Sequence, residues 1–121
     1  MSGNNNLWIN LRRVEPVAIY PRKNIIHWSI RAAVFYNGDE SHHLVGFVPG
    51  RSGRVTTAIQ KFSPKNRTMI TRSGRVYTLV GMPGGSDDAE YVWQSWCAVN
   101  GVVRDRDVTD EYTKQIKNLV M

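Results

Sequence analysis

The sequence predicts an α+β fold: an antiparallel β-meander of about five or six strands, with two C-terminal helices packed on one of its faces. Three features point there. Short apolar and β-branched stretches broken by turn residues fill the first two-thirds, and two capped amphipathic patterns fill the last third. Charge divides at nearly the same place. Met1 to Val76 carries twelve Lys or Arg against three acids, and Tyr77 to Met121 carries four against seven, within a net charge of +6.

A chain of 121 residues has room for one core, so a single domain over 1–121 is expected. Within it, 1–6 reads as a disordered lead, 7–81 as the basic β-rich part and 86–121 as the acidic helical part. The lone cysteine, Cys97, excludes an internal disulfide and fits a reducing compartment. The longest apolar run, Ala32 to Tyr36, is too short to span a bilayer. Met1 to Asn6 lacks the charged and apolar segments of a secretory signal. A cytoplasmic protein with no membrane partner is expected.

The elements follow in order. Leu7 to Val14 and Val17 to Tyr20 read as short extended pieces, the second bracketed by Pro16 and Pro21. Ile25 to Tyr36 is the strongest strand, with Trp28, Ile30, Ala32, Val34 and Tyr36 sharing a face at period two. Asn37-Gly38 turns the chain into a return strand, His43 to Val48. Arg51-Ser52-Gly53-Arg54-Val55 then recurs as Arg72-Ser73-Gly74-Arg75-Val76. Each copy leads into a strand, Val55 to Phe62 and Val76 to Val80, with Ser63 to Asn66 as a turn and Arg67 to Thr71 as the strand between. In a meander the two repeated turns fall at one end of the sheet, roughly 10 Å apart. Arg51, Arg54, Arg72 and Arg75 would then form one guanidinium cluster, with Lys61, Lys65 and Arg67 as a second basic patch towards the other end.

The first helix starts after Gly81 to Gly85, with Ser86 as N-cap and Asp87, Asp88 and Glu90 in its first turn. Ala89, Val92, Trp93 and Trp96 form its apolar face, and Asn100-Gly101 ends it. Val102 to Val108 reads as a link. The second helix is capped by Thr109 and carries the stripe Tyr112, Ile116, Leu119 and Val120.

No motif specifies a reaction. Gly81 to Ser86 lacks the Gly-Lys-Ser/Thr ending of a nucleotide loop, and three carboxylates after it repel phosphate. His42 and His43 are adjacent, so on a strand they point apart, and no zinc-ligand spacing exists. Asp105 and Asp107 could share a side and hold Mg²⁺, but Arg104 and Arg106 interleave them. Cys97 sits at the margin of a Trp-rich helical face and reads as packing. No catalytic residue, metal or cofactor is expected. The arginine tips remain, since a planar guanidinium donates bidentately to phosphate or carboxylate. Few aromatics interleave them, so backbone or acidic-surface binding is expected rather than base reading.

The stretch Arg72 to Gly81, with Pro83-Gly84 and the helix from Ala89 to Trp96, resembles a segment of small phage and prophage accessory proteins. That resemblance implies a stoichiometric inhibitor of host defence, such as an anti-CRISPR protein acting on an effector complex. The expected function is therefore non-enzymatic binding of a host protein or ribonucleoprotein complex. The alternative is direct, weakly sequence-specific DNA or RNA binding through the arginines.

Overall fold

The computed structural model describes residues 22–120. The lead at 1–6 and the extended pieces expected at Leu7 to Val14 and Val17 to Tyr20 lie outside the described residues. The described chain runs β1 (Arg22–Phe35), β2 (Glu40–Phe47), β3 (Gly53–Val55), β4 (Ile59–Ser63), β5 (Thr68–Thr71), β6 (Val76–Leu79), α1 (Asp87–Val99), β7 (Val102–Asp107) and α2 (Thr109–Val120).

At 14 residues β1 is long enough to belong to two half-sheets. Its whole C-terminal half pairs antiparallel with β2, from Ser29↔Val45 to Val34↔Glu40. On its other edge Arg22 to Ile25 pair in parallel with Val76 to Leu79 of β6, and Arg31 to Phe35 pair antiparallel with β7. The sheet order is β3-β2-β1-β6-β5-β4, with β7 continuing the β6 side of β1. A register shift between Ile26 and Ser29 coincides with His27 at φ 49°, a left-handed conformation uncommon outside glycine. It is a β-bulge: one extra residue in β1 swaps which side chains face each way and bends the strand.

The α+β class, with a sheet and two packed C-terminal helices, is as expected. The meander holds for β1–β2–β3 and for β4–β5–β6. It breaks between them, because the expected strand from Val55 to Phe62 is two strands. At Thr56 the chain leaves β2: the Thr56 amide donates to Leu44 O, and its hydroxyl accepts from the Leu44 amide. The register that β3 had with β2 thus ends, and β6 joins β1 in parallel. The expected link Val102 to Val108 is largely the strand β7, whose alternating Arg and Asp side chains carry no apolar signal.

The helices take opposite faces of β1–β2 rather than one. Ile30, Ala32 and Leu44 belong to a core that Tyr112 and Ile116 of α2 cover, together with Ile25, Trp28, Met69, Tyr77 and Leu79. Ala33 and Val45, their neighbours in sequence, pack with Ala89, Trp93 and Trp96 of α1. Because β1 and β2 are buried on both faces, a strict apolar–polar alternation is absent where the helices dock. Tyr36 leaves the expected apolar face: β1 ends at Phe35, and Tyr36 begins the Asn37-Gly38 turn almost fully exposed. On α2, Leu119 is also exposed.

Local anchors fix the helices. Ser86 Oγ accepts from the Ala89 amide, as an N-cap should. At α2 the cap expected of Thr109 falls to Asp107, whose carboxylate accepts the Thr109 amide at 2.9 Å. The Thr109 hydroxyl instead accepts the Ile30 amide of β1 at 2.9 Å, tying α2 to the sheet. Arg31 reaches Glu90 of α1 at 2.6 Å and lies 6.0 Å from the Trp93 ring centroid. Glu90 is half exposed, so that ion pair is worth about 0–1 kcal/mol. Full burial of the Trp93 side chain contributes roughly 4–6 kcal/mol and dominates α1 docking.

Gly53 marks the closest approach of α1 to the sheet. A Cβ there would stand 2.7 Å from Asp88 O and 2.9 Å from Ala89 Cα, both backbone atoms that cannot step aside. Gly53→Ala is expected to destabilise the fold by about 1–3 kcal/mol. Urea unfolding measures this, and an unchanged midpoint would mean that α1 does not press on β3.

Candidate anion-binding site

Arg51 closes the turn after β2 while Gly53 and Arg54 open β3, and Arg72 to Gly74 form the β5–β6 turn; the bulged strand explains how Arg51, Arg54 and Arg75 meet. Arg54 stands opposite Gly46 in the β2–β3 ladder, on the face that carries Leu44. With no side chain at Gly46 in its way, Arg54 crosses to β6, where its Nη1 donates to Tyr77 Oη at 3.1 Å. Tyr77 pairs with Lys23 of β1, and Arg75 lies two residues before it on the same face of the chain. Lys23, Arg54 and Arg75 thus ring the open end of the larger core, and Arg51 joins them from the β2–β3 turn.

The electrostatics record this convergence. Lys23 is held below the usual lysine range, first by desolvation and then by the charges of Arg51, Arg75 and Arg54. Among the described residues no carboxylate forms a salt bridge with Arg51, Arg54 or Arg75. Arg75 Nε is buried with no hydrogen-bond partner among them. An unmatched buried donor costs about 1–3 kcal/mol, which an incoming acceptor recovers. Beside the ring lies a cleft of about 220 Å³ lined by Arg22, Lys23, Asn24, Val48, Pro49 and Arg51.

The other expected basic residues behave differently. Arg72 is not among the charges that act on Lys23; its charge acts on His43, on the α1 face, and its amide is tied to Ala58 O. Arg67 is committed to its own fold, donating to Leu79 O at 3.2 Å and Gly81 O at 2.6 Å. Lys61 and Lys65 are exposed on β4 and on the β4–β5 turn, and that turn is at the opposite end of β5 from Arg72 to Arg75. Of the seven expected binding residues, the structure therefore gathers Arg51, Arg54 and Arg75. Lys23 completes the group; no sequence motif marked it, because its place depends on the parallel β1–β6 pairing.

The groups considered for catalysis are engaged elsewhere. Burial, with the Asp105 charge next, pushes the Cys97 thiol up to about 11, so it stays protonated near neutral pH. Asp105 accepts the Trp93 indole N–H at 2.9 Å, and Asp107 holds Thr109. A polar chain unseen in the sequence joins β2 to α2: Tyr112 Oη lies 2.6 Å from His42 Nδ1, and His42 Nε2 lies 3.0 Å from Glu40. The His42 hydrogen bond holds Glu40 below the usual carboxylate range, so Nε2 donates and Nδ1 accepts from the phenol. This is the order of a general-base triad, yet burial and then Glu111 raise the Tyr112 phenol, and its ring packs edge-on against Phe62. The chain is a structural strut.

Gly81 to Gly85 is a loop, as expected, and the Trp28 at the bulge holds it: the indole N–H donates to Gly81 O, and Trp28 O accepts the Gly84 amide. Among the described residues no helix is long and apolar enough to cross a membrane, and no group of three or more His, Cys, Asp or Glu could hold a metal ion. The chain matches no protein-family model, and no similar curated protein or solved structure was found.

His43 reports on the α1 face. It is buried, its Nδ1 is 2.8 Å from Thr56 O and its Nε2 2.7 Å from Ser41 Oγ, and Trp96 lies 4.4 Å away by ring centroid. Burial holds its protonation below the usual histidine range, against the Thr56 carbonyl, with Arg72 and His42 adding to the lowering. The unfolded state therefore binds more protons, and stability falls as pH drops below about 6.5, levelling off below the folded-state value. Chemical denaturation between pH 8 and 5 is expected to show this step, reduced in His43→Gln. A step of equal size in that variant would assign it to another group.

Proposed function

We propose that this protein is a non-enzymatic polyanion-binding protein whose ligand is the phosphate backbone of a nucleic acid, held at the Lys23–Arg51–Arg54–Arg75 end. The single observation that supports it is the convergence of Arg54, bonded to Tyr77 across the sheet, with Arg75 and its unpartnered Nε and with Arg51, none of which forms a salt bridge with a carboxylate among the described residues. Like charges so arranged disfavour the free state, and an anion between them relieves it. Arginine adds bidentate geometry, which suits phosphate oxygens. Among the described residues nothing at this end supplies the exposed aromatic stack that base reading on single strands uses, which favours weak sequence preference.

A second reading keeps the same end and changes the partner: a stoichiometric inhibitor of a host nucleic-acid-handling defence complex, docking on an acidic protein surface. Its support is the apolar side chains left exposed, Tyr36, Tyr91 and Met82 among them, since exposed aromatics and Met are common at protein interfaces. The resemblance of the segment from Arg72 to Trp96 to phage accessory proteins leans the same way.

The nucleic-acid reading predicts that labelled oligonucleotides bind with affinity falling steeply as salt rises. Arg51→Ala combined with Arg75→Ala is expected to weaken binding at least tenfold, while Lys61→Ala with Lys65→Ala changes it by less than about threefold. Fluorescence anisotropy across a salt series measures both. No binding at low salt, together with a captured protein partner that survives nuclease, would replace this reading with the second.

A further inference from the structure

The cleft beside the cationic ring has an origin that narrows its ligand. The β1–β2 ladder stops at Ile26↔Phe47, and continuing its register would set Asn24 against Pro49. Proline has no N–H to give a ladder, so β2 peels away there while β1 stays with β6. Ile25 O accepts the Val80 amide, so Ile25 aims its backbone groups at β6. By strand alternation Asn24 aims its own N–H the other way, into the opening that β2 leaves. That opening is the cleft of about 220 Å³ lined by Arg22, Lys23, Asn24, Val48, Pro49 and Arg51.

We propose that this cleft receives a terminal phosphate, so that the protein prefers nucleic-acid strand ends bearing a phosphomonoester over internal phosphodiesters. The inference rests on the nucleic-acid reading above and adds the chemical form of the group bound. Internal phosphodiesters bring one charge per nucleotide along a line, whereas a phosphomonoester brings about −1.5 to −2 and three acceptor oxygens to one point. The protein's cations are arranged for the second case. Arg51, Arg54 and Arg75 all act on Lys23, and Arg54 and Tyr77 bridge β3 to β6 beside it. Arg22 lines the same cleft, while among the described residues Arg67 is spent on Leu79 O and Gly81 O, and Lys65 sits at the far end of β5. The buried Arg75 Nε and the Asn24 amide supply directed donors that a diffuse surface patch lacks.

The test compares one single-stranded oligonucleotide in three forms, with a 5′-phosphate, with a 3′-phosphate and with hydroxyls at both ends, titrated at fixed salt. One phosphorylated form is expected to bind at least tenfold more tightly than the hydroxyl form. Inorganic pyrophosphate should compete away that advantage, and Arg51→Ala, at an exposed turn position that leaves the core intact, should abolish it. Equal affinity for all three forms, with a steep salt dependence, would overturn end recognition and leave the nucleic-acid reading standing. Binding of pyrophosphate with no binding of any oligonucleotide would overturn the proposal as stated, assigning the cleft to a free phosphate compound. Failure of both probes would remove this proposal and the reading beneath it together.

Discussion

Everything in this fold depends on β1 bending at His27. A straight strand of that length would keep one set of side chains on one face and one pair of neighbours throughout. The extra residue at the bulge lets Ile25 before it and Trp28, Ile30 and Ala32 after it enter the same core. It also lets the strand serve β6 at one end and β7 at the other, on the same edge. Holding a non-glycine residue at positive φ costs of order 1 kcal/mol. Burial of Trp28 offsets that several times over, and its indole and carbonyl fasten the Gly81 to Gly85 loop across the bend.

The cationic end is a consequence of that geometry. Ahead of the bend β1 follows β6, and behind it β1 follows β2, so the two half-sheets part at Pro49. Cations from β1, the β2–β3 turn, β3 and the β5–β6 turn then meet around the gap. Among the described residues no acid forms a salt bridge with Arg51, Arg54 or Arg75. Asp87, Asp88 and Glu90 lie in the first turn of α1, Asp110 and Glu111 in that of α2, and Asp105 and Asp107 serve Trp93 and Thr109. The charge asymmetry of the sequence thus reflects two separate duties: local stabilisation by acids at helix starts and strand ends, and a concentrated positive end.

Much of this was legible in the residues. Period-two apolar runs, the Asn37-Gly38 turn and the Ser86 cap located β1, β2 and α1, because each is a local signal. Of the repeated Arg-Ser-Gly-Arg segments only the second is a turn, and Arg51, Arg54 and Arg75 converge without Arg72. What was hidden was non-local. His27 carries no mark of a bulge, since the bend is imposed by packing of Trp28 and not by its own preference. The parallel β1–β6 pairing, which recruits Lys23, follows from where β3 stops, and nothing in Thr56-Thr57-Ala58 announces that. β7 reads as a link because only Val102 and Val103 are apolar and the Arg-Asp alternation after them carries no core face. Arg67 looked like its neighbours in charge and differs only in finding two backbone carbonyls to hold.

The central claim is that β1 changes partners at the bend and leaves the Asn24 amide facing an open cationic cleft. Amide hydrogen exchange followed by NMR tests it residue by residue. The account predicts slow exchange at Lys23 and Ile25, fast exchange at Asn24 between them, and slowing at Asn24 when a phosphorylated oligonucleotide binds. Protection of Asn24 equal to that of its two neighbours in the free protein would show the ladder continuing past Pro49 and would contradict the account.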